Sequence, residues 1–146
     1  MPTDQVLEIK RGIQSMPASR YRDTEAVHIL VAWHEIQTES GSGYNSIEAI
    51  NACIEALNED YFEHDIFFTL DTVNRVVNDS WFNNWYDVHT DGMQDLSYDP
   101  YHYLNIYTAD LLSAGVQGFA YLGNQFAASH PQQSVNLDHN RINSTW

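Results

Sequence analysis

Apolar residues fall along the chain in runs whose spacing separates strand from helix. Residues 26–36 (AVHILVAWHEI) are β-branched and aromatic, without Pro or Gly. That composition predicts a central strand buried on both faces. A Ser- and Gly-containing loop covers 39–44. Asn45 is then the expected helix N-cap, with Glu48 as its capping-box partner. Ile47, Ile50, Ile54, Leu57 and Tyr61 recur at helical spacing, while Glu48, Asn51, Glu55 and Glu59 fall away from that stripe. This predicts an amphipathic helix of about four turns lying on a sheet. A second strand is expected over 65–78, bent near Asp71 and doubly buried in its first half. Trp81, Phe82, Trp85 and Tyr86, in a polar context, are expected to cap one end of the core. A short helix is expected over 88–99, capped by Thr90 or Asp91 and ended by Pro100.

Residues 103–111 (YLNIYTADL) read as a buried strand, and 118–123 (GFAYLG) as a short aromatic strand with glycine at both ends. The second is a candidate sheet edge. A last apolar alternation, Val135 to Asp138, lies in a polar, Asn-rich stretch. Residues 1–25 hold four of the six positive charges and read as a lead-in segment, partly helical around 5–13. The order β-α-β-(α)-β-β predicts an α/β fold, a twisted, mostly parallel sheet of about five strands with an antiparallel edge strand and a backing helix.

Composition narrows the function classes. The chain has 146 residues, 43% of them hydrophobic, enough for one domain with a core. A formal net charge of −14 with only six Lys and Arg argues against nucleic acid and against an anionic membrane surface. No window approaches the roughly 20 apolar residues of a membrane span. The start, Met1-Pro2-Thr3-Asp4-Gln5, has neither a basic region nor a hydrophobic signal core, so the chain is expected either to be cytoplasmic or to lack its natural beginning. Cys53 is the one cysteine. It lies beside the helical stripe and reads as core, with no cation near it in sequence to lower its pKa.

Three chemistries can be weighed from the residues. His34-Glu35-Ile36-Gln37-Thr38 begins like H-E-x-x-H, but Thr38 stands where the second histidine belongs. It also sits on a strand pattern, where positions i and i+4 do not converge as on a helix. His34 therefore reads as a strand-end histidine with a polar tip. The other six histidines show no ligand spacing. Gly41-x-Gly43-x-x-Ser46 imitates a dinucleotide fingerprint, yet its third glycine is Ser46 and the loop starts too far past the strand. The 20 acidic residues form no informative pair and read as a solvated face. No nucleophile elbow and no P-loop is present. Asn78-Asp79-Ser80 and Asn143-Ser144-Thr145 match the N-glycosylation acceptor pattern.

Four segments, in order, resemble the pappalysin family of metzincin zinc metallopeptidases. Residues 27–36 look like its first strand. Residues 47–62, with Leu57-Asn58-Glu59-Asp60-Tyr61-Phe62, are similar to its backing helix. Residues 66–82, with Val73-Asn74-Arg75-Val76-Val77-Asn78 and Trp81-Phe82, look like its second strand and the segment after it. Residues 104–123, with Leu104-Asn105-Ile106-Tyr107 and Gly118-Phe119-Ala120-Tyr121-Leu122-Gly123, look like its third strand and edge strand. The four segments lie within a span of about 100 residues, 27–123.

The resemblance implies a zinc metalloendopeptidase in which three histidines of an H-E-x-x-H-x-x-G-x-x-H helix hold the metal and the glutamate acts as general base. It implies that residues 26–146 are the upper, N-terminal subdomain, ending before that helix. Catalytic and metal-binding residues are accordingly expected outside the chain, with the C-terminal half of the catalytic domain as a partner. It further implies a polypeptide substrate paired antiparallel with Gly118, Phe119, Ala120, Tyr121 and Leu122, and an extracellular setting. The lower side of such a subdomain is expected to leave apolar surface open. A non-catalytic module that captures extended peptides on the same edge is the alternative.

Overall fold

The computed structural model describes residues 25–121 and 123–142. Five strands form one sheet in the order β2-β1-β3-β5-β4. They are β1 (Val27–Gln37), β2 (Ile66–Val77), β3 (Tyr103–Ala109), β4 (Gly118–Ala120) and β5 (Ser134–Asp138), with helices α1 (Ile47–Tyr61) and α2 (Asp79–Leu96). The pairs β1–β2, β1–β3 and β3–β5 are parallel, and β4 runs antiparallel to β5. The expected mostly parallel α/β sheet with an antiparallel edge is the fold observed. The lead-in expected over 1–25 lies almost wholly outside the described residues.

The connections dictate where the helices go. From β1 the chain moves to one side through α1 to reach β2. It then passes back over β1, through α2, to reach β3. Right-handed crossovers in opposite directions put their helices on opposite faces. Each face accordingly has its own core. On one, α1 packs Ile50 and Ile54 against Val31, Trp33, Phe68, Leu70 and Ile106. On the other, α2 packs Phe82, Trp85 and Met93 against Ile36, Tyr107, Ala109 and Leu111. Strand alternation assigns these sets, since Val31, Trp33 and Glu35 share one face of β1 and Ala32, His34 and Ile36 the other. Burying each large aliphatic or aromatic side chain contributes about 1.5–3 kcal/mol.

The bend expected near Asp71 is a register irregularity in which Val31 faces Leu70 and Ala32 faces Thr72. Asp71 is the extra residue and is exposed, as in a β-bulge.

Two helix starts differ from expectation. The N-cap of α1 is Ser46, whose hydroxyl accepts from the Ala49 amide at 3.1 Å. Asn45 is instead buried, its amide bound to Glu35 and its side chain to the His139 carbonyl. The helix expected over 88–99 begins much earlier. Asn78 caps it by accepting from the Trp81 amide at 2.9 Å. Trp81, Phe82, Trp85 and Tyr86 are therefore residues of α2 itself, not a separate cap on the core. Asn84 sits at a kink with φ −125° and ψ 18°.

Candidate functional site

The candidate site is the edge of the sheet at β4 together with the elements that hold it. Its three residues pair as Gly118↔Leu137, Phe119↔Asn136 and Ala120↔Val135. No strand flanks the other side of β4 among the described residues. Of the expected substrate contacts, Gly118, Phe119 and Ala120 form the strand, Tyr121 comes directly after it, and Leu122 lies outside the described residues.

Close approach explains Gly118. A β-carbon there would lie 2.9 Å from the Asn136 carbonyl oxygen, so only glycine lets β4 come this near to β5. Two buried polar side chains of β5 then fix the edge. Asn136 accepts from Trp85 Nε1 at 2.8 Å and donates to the Phe119 carbonyl at 3.4 Å and to Ser134 Oγ at 3.3 Å. It thereby ties α2, β5 and β4 together. The Asp138 carboxylate accepts from the amides of Leu111, Leu112 and Asn140 at 2.8, 3.0 and 3.1 Å. That pins the β3–β4 connection. The Asp138 amide itself donates to the Gln117 carbonyl at 2.9 Å.

A ring array lies beside the edge on the α2 face. Phe119 meets Tyr86 and His89 of α2 edge-on, with centroids 5.4 and 4.9 Å apart. His89 sits between two oxygens. Its Nδ1 is 2.8 Å from the Tyr86 carbonyl and its Nε2 is 2.7 Å from the Tyr121 hydroxyl. A carbonyl can only accept, so Nδ1 donates to Tyr86, while Nε2 is bonded to the Tyr121 hydroxyl. Gln132 donates to the same hydroxyl at 3.2 Å.

On the α1 face, the sheet is only half covered. A groove of about 770 Å³ runs between α1 and β5, floored by Phe68, Leu104, Val135 and Leu137 and walled by Cys53 and Leu57. Glu59 and Asp60 stand at its rim. Cys53 is half-buried there rather than enclosed in the core, and burial pushes its thiol pKa up. The groove is the open apolar feature on this face of the sheet.

The histidine-led motif is not a metal site. His34 is 2% exposed, with Nε2 donating to Asn105 Oδ1 at 2.7 Å and Nδ1 accepting from Asn74 at 3.3 Å. The Asn105 oxygen also accepts from the Tyr98 amide, which fixes the direction of the first bond. The ring stacks on Tyr107 with centroids 4.6 Å apart. Burial pushes the imidazole pKa down, against the opposing effect of Asn105. Both ring nitrogens are committed, so no lone pair is left for a cation. Among the described residues no group of three His, Cys, Asp or Glu could hold a metal ion.

Glu35 points to the opposite face, fully buried, and accepts from the Asn45 amide at 2.5 Å and from Arg75. Burial raises its pKa, while the Asn45 amide, Arg75 and His139 oppose that rise. Arg75 also lies over the Tyr44 ring, 4.7 Å from its centroid. Neither this pair nor the Asn136 junction is visible in the sequence. The Arg75–Glu35 pair and the Trp85–Asn136 bond each join residues at least 40 positions apart. Their only local signal is a polar residue inside a strand pattern.

The glycine loop is packing rather than phosphate binding. Gly43 has φ 92°, and a β-carbon there would meet the Phe82 ring at 2.6 Å and the Ile36 carbonyl at 2.7 Å. The end of β1 is thereby closed against α2. Open α/β sheets offer their ligand crevice at the carboxyl ends of the strands, and here that position beside β1 is filled.

No protein-family profile matches the chain. Among curated proteins, it is 30% identical over 112 residues to an extracellular metalloprotease of Pyricularia oryzae. The alignment takes in 77% of this chain and 36% of that relative, so the chain spans about a third of the length of the protein it matches. The chain is thus distantly related to a metalloprotease.

Proposed function

We propose that the chain is the N-terminal, upper portion of the catalytic domain of a pappalysin-like zinc metalloendopeptidase, and that β4 is the rim on which an extended polypeptide substrate pairs. The observation that carries this reading is the short antiparallel strand closing a parallel sheet, with its outer edge unpaired among the described residues. Gly118, Phe119, Ala120, Tyr121 and Leu122 would offer main-chain donors and acceptors to the substrate, the usual basis of strand addition. The buried Asn136 and Asp138 hold that edge in place before any peptide arrives, which reduces the ordering cost of binding.

The groove beside α1 fits the same reading. It is the apolar surface that a zinc-bearing helix would cover in the complete domain. The relationship to a metalloprotease supports the reaction class, and the word "extracellular" in that relative's name supports a secreted setting. In this reading the zinc ligands and peptide-bond hydrolysis by a metal-activated water belong to the remainder of the protease. This portion binds and orients.

The test is made on the full-length gene product. It is expected to carry zinc, to digest casein, to lose that activity to a chelator and to regain it with added zinc. The 146-residue chain alone is expected to be inactive. A full-length product free of zinc and inactive on casein and gelatin would sink the reading. If the 146-residue chain still captured extended peptides, the non-catalytic peptide-binding module would take its place.

A further inference from the structure

We propose that the ring array Tyr86, His89, Phe119 and Tyr121 is a side-chain subsite beside the rim, selecting polypeptides that carry an aromatic or large aliphatic residue directly opposite Phe119. This rests on the reading of β4 as a peptide-pairing edge and adds to it what the edge prefers.

Strand geometry places the contact. In an antiparallel pair, residues directly opposite share a face, with β-carbons about 4.5–5.5 Å apart. Phe119 turns to the α2 side, where it packs against that core. Any residue paired opposite it must emerge on the same side, against the same rings. The residues that flank Phe119 cannot select in this way. Gly118 has no side chain and Ala120 only a methyl group.

The array is built rather than incidental. His89 is held at both nitrogens, by the Tyr86 carbonyl and the Tyr121 hydroxyl. Gln132 braces that hydroxyl from the other side. Phe119 is clamped edge-on by Tyr86 and His89. The rings are therefore set before binding, although Tyr86 remains 43% exposed and Phe119 and Tyr121 partly so. Tyr86, His89 and Tyr121 meet Phe119 from outside the two core clusters. A fixed, half-exposed aromatic surface favours rings and large aliphatic groups. A peptide carboxylate would have to lose water against the three phenyl and phenol rings, with no Lys or Arg among the four side chains to receive it.

The test uses the biotinylated full-length gene product, immobilised on an interferometry sensor with a chelator present so that peptides are bound and not cut. The probes are blocked extended heptapeptides differing only at the central residue, which is Phe, Leu, Ala or Asp. An analogue of the Phe peptide, N-methylated at alternate residues, cannot donate ladder hydrogen bonds. Phe and Leu peptides are expected to bind about three- to tenfold tighter than Ala, as one aromatic contact of this kind supplies, with Asp weakest. The preference is expected to shrink to less than twofold in Tyr86→Ala and in Tyr121→Ala, two variants outside the cores.

Binding that survives N-methylation, or no binding by any peptide, overturns the rim reading and the subsite with it. Binding that N-methylation abolishes, but that is equal for all four central residues, overturns the subsite alone. So does a preference that persists in both variants.

Discussion

Replacing Asn136 by leucine should loosen the rim from the rest of the domain, and its three bonds set the size of the effect. Asn136 is fully buried. Its strongest partner is Trp85 Nε1 at 2.8 Å, and Trp85 is also fully buried. Leucine would leave that indole N–H with no acceptor, which costs about 1–3 kcal/mol. The longer bonds to the Phe119 carbonyl and Ser134 add about 1 kcal/mol together, partly offset by leucine's apolar burial. The expected loss is about 2–3 kcal/mol, a factor of roughly 30 to 150 in the folding equilibrium. Urea unfolding monitored by tryptophan fluorescence and by far-ultraviolet dichroism measures it. A double-mutant cycle with Trp85→Phe isolates the bond. If Asn136 and the indole act as a unit, the two losses should fall short of additive by about 1–2 kcal/mol. Asn136→Leu within about 0.5 kcal/mol of the parent, or full additivity, would refute the junction described here.

Gly118→Ala should cost about 1–3 kcal/mol, because its β-carbon meets the Asn136 carbonyl. Gly123→Ala, with nothing within 4 Å of the new atom, should be neutral, and equal unfolding midpoints for the two would contradict the close-approach argument. Glu35 has a raised folded pKa, so the folded state holds its proton more tightly than the unfolded state. Stability from this group is present below the ordinary glutamate range and declines as pH rises through that range to the raised value. Glu35→Gln removes that dependence, so the variant should gain on the parent as pH rises from about 4 upward, in urea titrations at several pH values. Parallel profiles would refute it. The hydrogen bond from the Tyr103 hydroxyl to the Asp71 carboxylate, at 2.9 Å, is the main cause that pushes this phenol up to about 12. In Asp71→Asn an ultraviolet titration should find one tyrosine moved down toward about 10, and an unchanged curve would dissolve the assignment. The uncovered groove beside α1 should make the isolated chain self-associate at micromolar concentration. Light scattering should show Val135→Lys shifted toward monomer, whereas a parent chain already monodisperse would count against an open apolar face.

Where one segment carries its own pattern, it is readable from the sequence. The β-branched run of β1, the helical stripe of α1 and the glycine-flanked aromatics of β4 each appear in the structure within a few residues of where they are expected. The bend at Asp71 is legible as an acid interrupting an apolar run. The start of α2 is not. Its first two turns contain Asn83, Asn84, two tryptophans and a phenylalanine, none of them a strong helix former. The Asn78 cap is masked by its match to a glycosylation acceptor. At the start of α1 two good capping residues stand side by side, and the choice falls to Ser46 because Glu35 and His139 claim Asn45. The rim strand can be read locally. The buried Asn136 and Asp138 that support it cannot, since their partners lie in α2, the β3–β4 connection and β4.

The insertion of β5 between β3 and β4 sets an order of assembly. β4 is made earlier in the chain, yet its only described neighbour in the sheet is β5. On a ribosome delivering about 5–20 residues per second, residues 118–120 wait unpaired until Ser134–Asp138 has been synthesised. β4 thus cannot join the sheet before β5 is available to pair with it. A chain cut before Ser134 could still build three parallel strands and both helices, but β4 would have no strand to join.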